Sequence, residues 1–223
     1  MESMGENSLH DSVKIWYARS GDLVEEEVDG YVVDIVRGDL LIEVQTGNFS
    51  ALKQKLSDLI RRHPVRLVHP VPERKWIVRI DRDLESVLSR RRSPKRGRLE
   101  DLFQELVYIP RLIMDPNFSV EVLLVDSEDV LVDDGRGSWR RRRWSIHDRR
   151  LLEVKDRRVF NEPGDLRLLL PDALPEEFTT KELAAVSGIR PVLARKMAYC
   201  LRNMGAIDIV GRRGRSVLYR NSP

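Results

Sequence analysis

Cysteine is almost absent from this sequence of 223 residues, in which Cys200 is the single copy. One thiol excludes an internal disulfide framework and is typical of a reducing compartment. One cysteine and four histidines are also too few for the common structural zinc sites. No apolar run approaches the length of a membrane span, and the polar start MESMGENS has no signal-peptide pattern. We therefore expect a cytoplasmic protein with no membrane partner.

Charge is abundant but unevenly distributed along the chain. Charged residues make up 34% of the sequence, yet the net charge is only +3. Residues 1–63 carry 12 acids against 7 bases, whereas residues 174–223 carry 4 acids against 9 bases. Between them, SRRRSPKRGR (89–98) and GSWRRRRW (137–144) concentrate arginine. This asymmetry favours a polyanion partner such as nucleic acid, although charged runs are also common on ordinary solvated faces.

The first 80 residues predict an α/β protein with a mixed sheet. Apolar spacing indicates helices over 9–18 and 50–62, the second capped by Ser50 and closed by Pro64. Apolar or β-branched runs bounded by glycine, aspartate, proline or charge predict strands over 23–28, 31–36, 40–45, 65–71 and 76–80. The order of helix, three strands, helix and two strands is typical of a mixed sheet flanked by helices.

The middle of the chain is harder to interpret. We predict a basic linker over 89–98, a helix over 99–114 that breaks near Pro110, and strands over 120–125 and 129–132. Residues 133–173 show little periodicity, so their fold stays open. The proline-bounded segment PDALP (171–175) separates two patterns. We therefore divide the chain into a core (1–88), a linker with an α+β extension (89–173) and a separate tail domain (174–223).

The tail has a regular pattern of its own. A short helix over 181–186 stops at Gly188, and Pro191 starts a second helix that runs to Met204. The runs AIDIV and SVLYR then flank the basic, glycine-rich turn 211–215, which predicts a β-hairpin. The expected order is therefore two helices followed by a hairpin with a basic tip.

The hairpin predicted over residues 31–45 carries acidic groups among its apolar residues. Asp34 lies on one strand and Glu43 on the other, and Glu43 shares a face with Gln45 because side chains alternate along a strand. Two neighbouring carboxylates repel each other, and a divalent cation such as Mg²⁺ removes that repulsion. The pattern thus allows a metal site for phosphodiester hydrolysis. A half-exposed hairpin whose acids face solvent would show the same spacing.

Together, the helix, the acidic first strand, the Asp34 hairpin, the Glu43-x-Gln45 strand and the following lysine-bearing helix resemble the PD-(D/E)XK nuclease superfamily. The resemblance covers about residues 8–80. It implies a restriction-endonuclease-like mixed sheet flanked by helices, with Asp34 and Glu43 as ligands of Mg²⁺ (or Mn²⁺). Gln45 then stands where that family has its catalytic lysine.

Glutamine can supply neither a cation nor a base, so this departure needs a substitute. Lys53 and Lys55 lie on the following helix, and the neighbour spacing of Lys55 with Leu52 and Leu59 could turn it towards the sheet. The family also often adds an acid from its first helix or strand. Glu25, Glu26 and Glu27 qualify for that role, and we favour Glu25.

The tail resembles a winged helix-turn-helix over about residues 174–221, in topology rather than in any motif. The resemblance makes 190–204 the recognition helix and 211–215 the wing. It implies DNA contacts from Arg190, Arg195, Tyr199, Arg202, Arg212, Arg213 and Arg215. A small helical domain used for protein–protein contact would have the same topology.

We therefore expect a metal-dependent DNA endonuclease in which the winged-helix tail docks the protein and the acidic hairpin cuts. The alternative is a non-catalytic DNA-binding protein or regulator on a nuclease-like scaffold, which Gln45 favours. Basic patches with tryptophan serve RNA equally well, so RNA stays open as a substrate. A homodimer also stays open.

Overall fold

The computed structural model describes residues 8–84, 86–134 and 144–221 of the chain. Its first elements follow the order expected from the sequence. They are α1 (Ser8–Tyr17), β1 (Leu23–Val28), β2 (Tyr31–Arg37), β3 (Leu40–Val44), α2 (Phe49–Leu59) and β4 (Val65–Ile80). The second helix begins one residue earlier than predicted, and Asn48 rather than Ser50 occupies its N-cap position.

Two pairs of predicted strands are in fact single long strands. The runs 65–71 and 76–80 form the 16-residue β4, and the runs 120–125 and 129–132 form the 15-residue β6 (Phe118–Val132). Parallel pairing between β4 and β6 extends from Val65 to Ile80 and carries both strands through their polar interruptions. The Pro72 carbonyl faces away from β6 and accepts a hydrogen bond from the Gly97 amide at 2.9 Å. Because the nitrogen and the carbonyl of a strand residue point to the same side, the N–H that proline lacks is not needed for pairing with β6.

The region predicted as a basic linker also forms part of the sheet. Residues Val87–Arg92 form β5, which pairs antiparallel with the second half of β4. The predicted helix over 99–114 consists of short turns: 3₁₀ helices at Leu99–Leu102 and Leu112–Met114 around α3 (Phe103–Leu106). Most of the segment left open becomes β7 (Ser145–Phe160) and α4 (Pro163–Arg167).

These strands form one seven-stranded mixed sheet in the order β1-β2-β3-β4-β6-β7, with β5 paired to β4. The β1–β2, β2–β3 and β6–β7 pairs are antiparallel, whereas β3–β4 and β4–β6 are parallel. Helix α1 packs Leu9 and Val13 into an apolar cluster with Ile42 and Val44. Helix α2 contributes Leu56 to a larger cluster. The result is an α/β fold with a large mixed sheet flanked by helices.

The tail contains β8 (Glu177–Phe178), α5 (Thr180–Ser187), α6 (Pro191–Asn203), β9 (Ile207–Arg213) and β10 (Ser216–Asn221). Its three strands form a second sheet in the order β8-β10-β9. Thr179 caps α5 through a capping box with Glu182, which fixes the start of that helix. Buried tail residues such as Met197 belong to the same apolar cluster as Leu56 of α2, so the tail packs on the main sheet. Within the described ranges, no helix is both long and apolar enough to cross a membrane.

Candidate active site

Asp34 and Glu43 lie on neighbouring strands, next to the paired residues Ile35 and Ile42. The β2–β3 pairing runs from Arg37–Leu40 to Ile35–Ile42, so both acids lie just beyond its last pair. Asp34 Oδ2 accepts a hydrogen bond from the Val44 amide at 2.8 Å and lies 3.2 Å from His10 Nε2. The two acids are near enough for the charge of Asp34 to act on Glu43, and their role as metal ligands stays a prediction.

The surroundings of Asp34 favour its ionised form. Burial acts to raise the pKa of Asp34, but the hydrogen bonds from His10 and the Val44 amide outweigh it and hold the pKa below its ordinary value. In turn, the hydrogen bond to Asp34 raises the pKa of His10 against the opposing effect of burial. At the acid side of neutrality the two groups form an ion pair.

Glu43 is buried and paired with Lys55. Its side chain is only 4% exposed, and its Oε1 lies 2.5 Å from Lys55 Nζ. Lys55 also donates a hydrogen bond to the Val32 carbonyl at 2.5 Å. Burial raises the pKa of Glu43, with Lys55 opposing this effect and the negative charge of Asp34 adding to it. Lys55 does turn towards the sheet, while Lys53 is exposed.

Gln45 is held within its own loop. Its side-chain amide donates a hydrogen bond to the Gly47 carbonyl, and its backbone carbonyl accepts one from His69 Nδ1 at 2.6 Å. His69 is almost completely buried, and this burial lowers its pKa.

At the start of α2, the Phe49 amide donates a hydrogen bond to Glu105 Oε2 at 3.2 Å. A protein carboxylate therefore lies at the N-terminal end of α2.

Glu25 faces the same hairpin but has its own partner. The β1–β2 register pairs Val24 with Ile35 and Glu26 with Val33, which places Glu25 across from Asp34. The Glu25 carboxylate is 64% exposed and lies 2.5 Å from Lys14 Nζ. Its charge is thus neutralised by α1, and the described contacts do not join it to Glu43.

A cleft opens beside these groups. Its lining includes His10 and Lys14 from α1, Asp34 and Gln45 from the hairpin, and Arg149 from β7. The sequence did not single out His10, Lys14 or Arg149. The four-residue spacing of His10 and Lys14, which places both on one face of α1, was the available signal.

The donor set suits a hard cation with few protein ligands. Among the residues that the structure describes, no three histidine, cysteine or acidic side chains are grouped so that they could hold a metal ion. Asp34 and Glu43 supply two carboxylates, and Mg²⁺ accepts one or two carboxylates with several waters. The raised pKa of Glu43 marks a buried negative charge that a bound cation would relieve. The two carboxylates are therefore the residues that could hold such a cation, and Lys55 already neutralises Glu43.

The predicted DNA-binding residues of the tail lie mainly on its surface. Four of these residues, Arg190, Arg195, Tyr199 and Arg202, are exposed on or beside α6. The Arg202 guanidinium lies 5.9 Å from the centre of the Tyr199 ring. The exposed residues predicted to contact DNA are Arg190, Arg195, Tyr199, Arg202, Arg212, Arg213 and Arg215. Arg213 differs from the others because its Nη1 lies 2.6 Å from Glu182 Oε1 on α5.

Two other sequence features have clear outcomes. Burial raises the pKa of the Cys200 thiol to about 12, so this side chain fills the core and is not a reactive nucleophile.

Of the run GSWRRRRW, residues 137–143 lie outside the described residues. Trp144 is described, and the Arg79 guanidinium lies 4.9 Å from the centre of its ring.

Comparison with known proteins places this chain in a family. The family model described as "Domain of unknown function (DUF8091)" matches residues 7–161, from α1 to just beyond the end of β7. The chain belongs to that family. A protein of Treponema pallidum (strain Nichols), described as "Uncharacterized protein", is 33% identical over 219 residues, which cover 98% of this chain and 86% of the relative. No solved structure matches.

Proposed function

We propose that the protein is a divalent-metal-dependent DNA nuclease of the PD-(D/E)XK type, with a winged helix-turn-helix tail that docks it on DNA. The observation that carries this proposal is the grouping of Asp34, Glu43 and Lys55. Two carboxylates lie at one end of a hairpin, near enough for the charge of Asp34 to act on Glu43, and a lysine from the next helix lies 2.5 Å from Glu43. Lys55 supplies the cation that Gln45 cannot supply at its own position.

Each residue has a distinct task in this proposal. Asp34 and Glu43 would hold Mg²⁺ or Mn²⁺. The bound cation would polarise a phosphoryl oxygen and lower the pKa of a water molecule. His10 keeps Asp34 ionised and oriented, because it lies 3.2 Å from the carboxylate beside the Val44 amide. Lys55 holds the buried Glu43 carboxylate in place and provides a positive charge near the reacting phosphate.

The tail would anchor the substrate. Arg195, Tyr199 and Arg202 are exposed along α6. Arginine and tyrosine side chains commonly contact phosphates, and arginine also contacts base edges. Arg212 and Arg215 extend the same character to the β9–β10 hairpin. Together with the β8-β10-β9 sheet, this arrangement supports the winged-helix interpretation.

A non-catalytic DNA-binding protein is the second candidate. Two observations favour it: Glu43 is almost fully buried, and the Gln45 side chain is bonded to its own loop. In this case the Glu43–Lys55 pair stabilises a nuclease-like scaffold, and only the basic surfaces act on DNA.

Cleavage and metal binding together separate the two candidates. We expect duplex DNA to be cut with Mg²⁺ or Mn²⁺, and Asp34→Asn or Glu43→Gln to reduce the rate at least about 100-fold, because direct metal ligands are lost. Asp39→Asn, an exposed acid in the turn of the same hairpin, is the matched control and should leave the rate unchanged.

Calorimetry with Mg²⁺ in the absence of DNA provides the second measurement. Uptake by the wild type that both ligand variants lose supports the nuclease. DNA binding without metal uptake or cleavage supports the scaffold, and cleavage that survives both substitutions overturns the proposed centre. Parallel assays on single-stranded DNA and RNA identify the substrate.

A further inference from the structure

The sheet has an extension that the candidate centre does not use. Beyond the end of β3, strands β4, β6 and β7 continue and β5 joins them; we call residues 74–80, 87–92, 126–132 and 145–151 the arm. The arm has its own small core, formed by Val78, Ile80, Val130 and Val132. That core occupies one face only, which leaves the other face for polar residues.

The other face of the arm is organised by one row of paired residues. Arg91 pairs with Ile77, Ile77 with Asp129, and Asp129 with Arg149, so the row crosses all four strands. Residues paired directly across strands project from the same face. Arg149 Nε lies 3.7 Å from Asp129 Oδ1, which agrees with this placement.

Two further cations join this face from β4. Lys75 and Arg79 lie two residues before and after Ile77, so strand alternation puts them on the same side. Lys75 Nζ lies 3.1 Å from Asp129 Oδ2, and Arg79 stacks on Trp144. We call Lys75, Arg79, Arg91 and Arg149 the basic face of the arm. Two of its four cations, Lys75 and Arg149, contact the acid of the row, Asp129.

Among the described residues, the rows of the basic face hold four cations and one acid, Asp129. Arg91 is exposed and has no acidic partner among the described residues. The acids Glu128 and Asp148 lie in neighbouring rows, where they pair with Arg90 and Arg150. An excess of positive charge on a rigid sheet face attracts partners of opposite charge.

The basic face is continuous with the candidate active site. Arg149 lines the cleft together with Asp34. Lys75 lines a second cavity together with Thr46, and Thr46 also lines the cleft. From Lys75 to Arg79, four strand steps cover roughly 13 Å, which corresponds to about four base-pair steps of duplex DNA.

We propose that the basic face of the arm binds the phosphate backbone of duplex DNA and leads it into the cleft. This inference rests on the DNA-binding part of the proposed function, but it needs no cleavage. The cations hold fixed spacings because they stand on paired strands, which suits the regular phosphate spacing of a duplex. The arm therefore supplies a second contact region, separate from the tail.

The test measures binding of the full-length protein to fluorescent duplex DNA by anisotropy, in EDTA so that no cleavage occurs. Lys75→Gln/Arg79→Gln/Arg91→Gln removes three charges from the basic face. Each lost phosphate contact lowers the slope of log affinity against log salt by about 0.9. Between about 50 and 200 mM salt, the wild type should thus lose roughly 40-fold more affinity than the triple variant.

Lys155→Gln/Arg157→Gln/Arg158→Gln removes the same charge from exposed positions further along β7 and is the control, with the wild-type salt slope expected. Arg91→Gln alone, at an exposed site without an acidic partner among the described residues, should lower the slope by about 0.9 even if the triple variant folds poorly. Equal salt slopes of binding for the wild type, Arg91→Gln and the triple variant would overturn the inference and leave the nuclease proposal standing. Binding that depends on the arm without metal-dependent cleavage supports the inference and removes the nuclease. Failure to bind duplex DNA, or arm-dependent binding of RNA or acidic protein alone, overturns the inference.

Discussion

The acids of the hairpin are paired with other side chains, whereas several cations of the basic tail are exposed. At the hairpin, Glu43 is buried against Lys55 and Asp34 is bonded to His10, so each acid is paired with a residue from a helix. In the tail, Arg195 and Arg202 are exposed, and only some cations, such as Arg213, are paired with acids. The difference follows from solvent, since water stabilises an exposed cation but a buried carboxylate needs a partner.

This contrast separates residues that the fold requires from residues that remain available to a ligand. Removing a partner at the hairpin leaves an uncompensated charge in the interior and should cost stability. Removing an exposed tail arginine should cost affinity for a polyanion and leave stability unchanged.

The largest expected effect is on stability. Lys55→Met leaves Glu43 buried without its counter-charge, and we expect a loss of about 3 kcal/mol in the free energy of unfolding, measured by urea denaturation near neutral pH. Lys53→Met, two residues away and exposed, should change it by less than about 0.5 kcal/mol. Acid conditions that protonate Glu43 should shrink the Lys55→Met loss. Equal stability of the two variants would show that the Glu43–Lys55 pair has no structural role.

The next effect concerns the tail and DNA affinity. Arg195→Gln/Arg202→Gln removes two exposed cations, and we expect roughly tenfold weaker duplex binding and a salt slope lower by about 2. Arg213→Gln should weaken binding less than about threefold, because Arg213 is already paired with Glu182. A larger loss of duplex affinity for Arg213→Gln than for the double variant would show that Arg213, and not Arg195 with Arg202, is the more important DNA contact.

The smallest effect is a pH dependence of stability. The pKa of His10 is raised in the folded protein, so its contribution is complete below its ordinary value of 6.5 and is lost as pH rises through the folded value. The lowered pKa of Asp34 acts only in acid: its contribution is present above 3.8 and is lost as pH falls through the folded value.

Between about pH 6 and 9, the wild type should therefore lose up to about 1 kcal/mol that His10→Gln does not lose. Asp34→Asn should remove the same dependence, because it removes the partner. Thermal unfolding across this range measures it. Identical pH profiles for the wild type and both variants would show that the ion pair does not form in solution.

Local patterns predicted the first half of the fold well. Strand β2 and helices α1 and α2 bury part of their surface against the core, so their apolar residues recur with the period of the element. Strand β1 is exposed except at Val28, and turn residues on either side of it marked its limits. The position of Lys55 between Leu52 and Leu59 allowed it to turn towards the sheet, and its contact with the Val32 carbonyl shows that it does so. The domain limits at residues 88 and 173 stay predictions.

The missed elements share a physical cause. All six residues of β5 are exposed, and most of β7 is exposed or half-buried, so neither strand shows an alternation between apolar and polar residues. Their backbone pairing with β4 and β6 defines them as strands, and pairing leaves no trace in composition. Likewise, His10 and Asp34 are 24 positions apart, and only the packing of α1 on the sheet brings them together.

The sequence by itself determined the order of the first elements, the presence of acids on both strands of the hairpin and the basic character of the tail, because these depend on local periodicity and composition. Only the tertiary structure decided which charges are neutralised: His10 for Asp34, Lys55 for Glu43 and Glu182 for Arg213. It also converted a basic segment into a strand paired with β4. Pairing and burial depend on distances in space between residues remote in the chain, and these distances are set when the helices pack on the sheet.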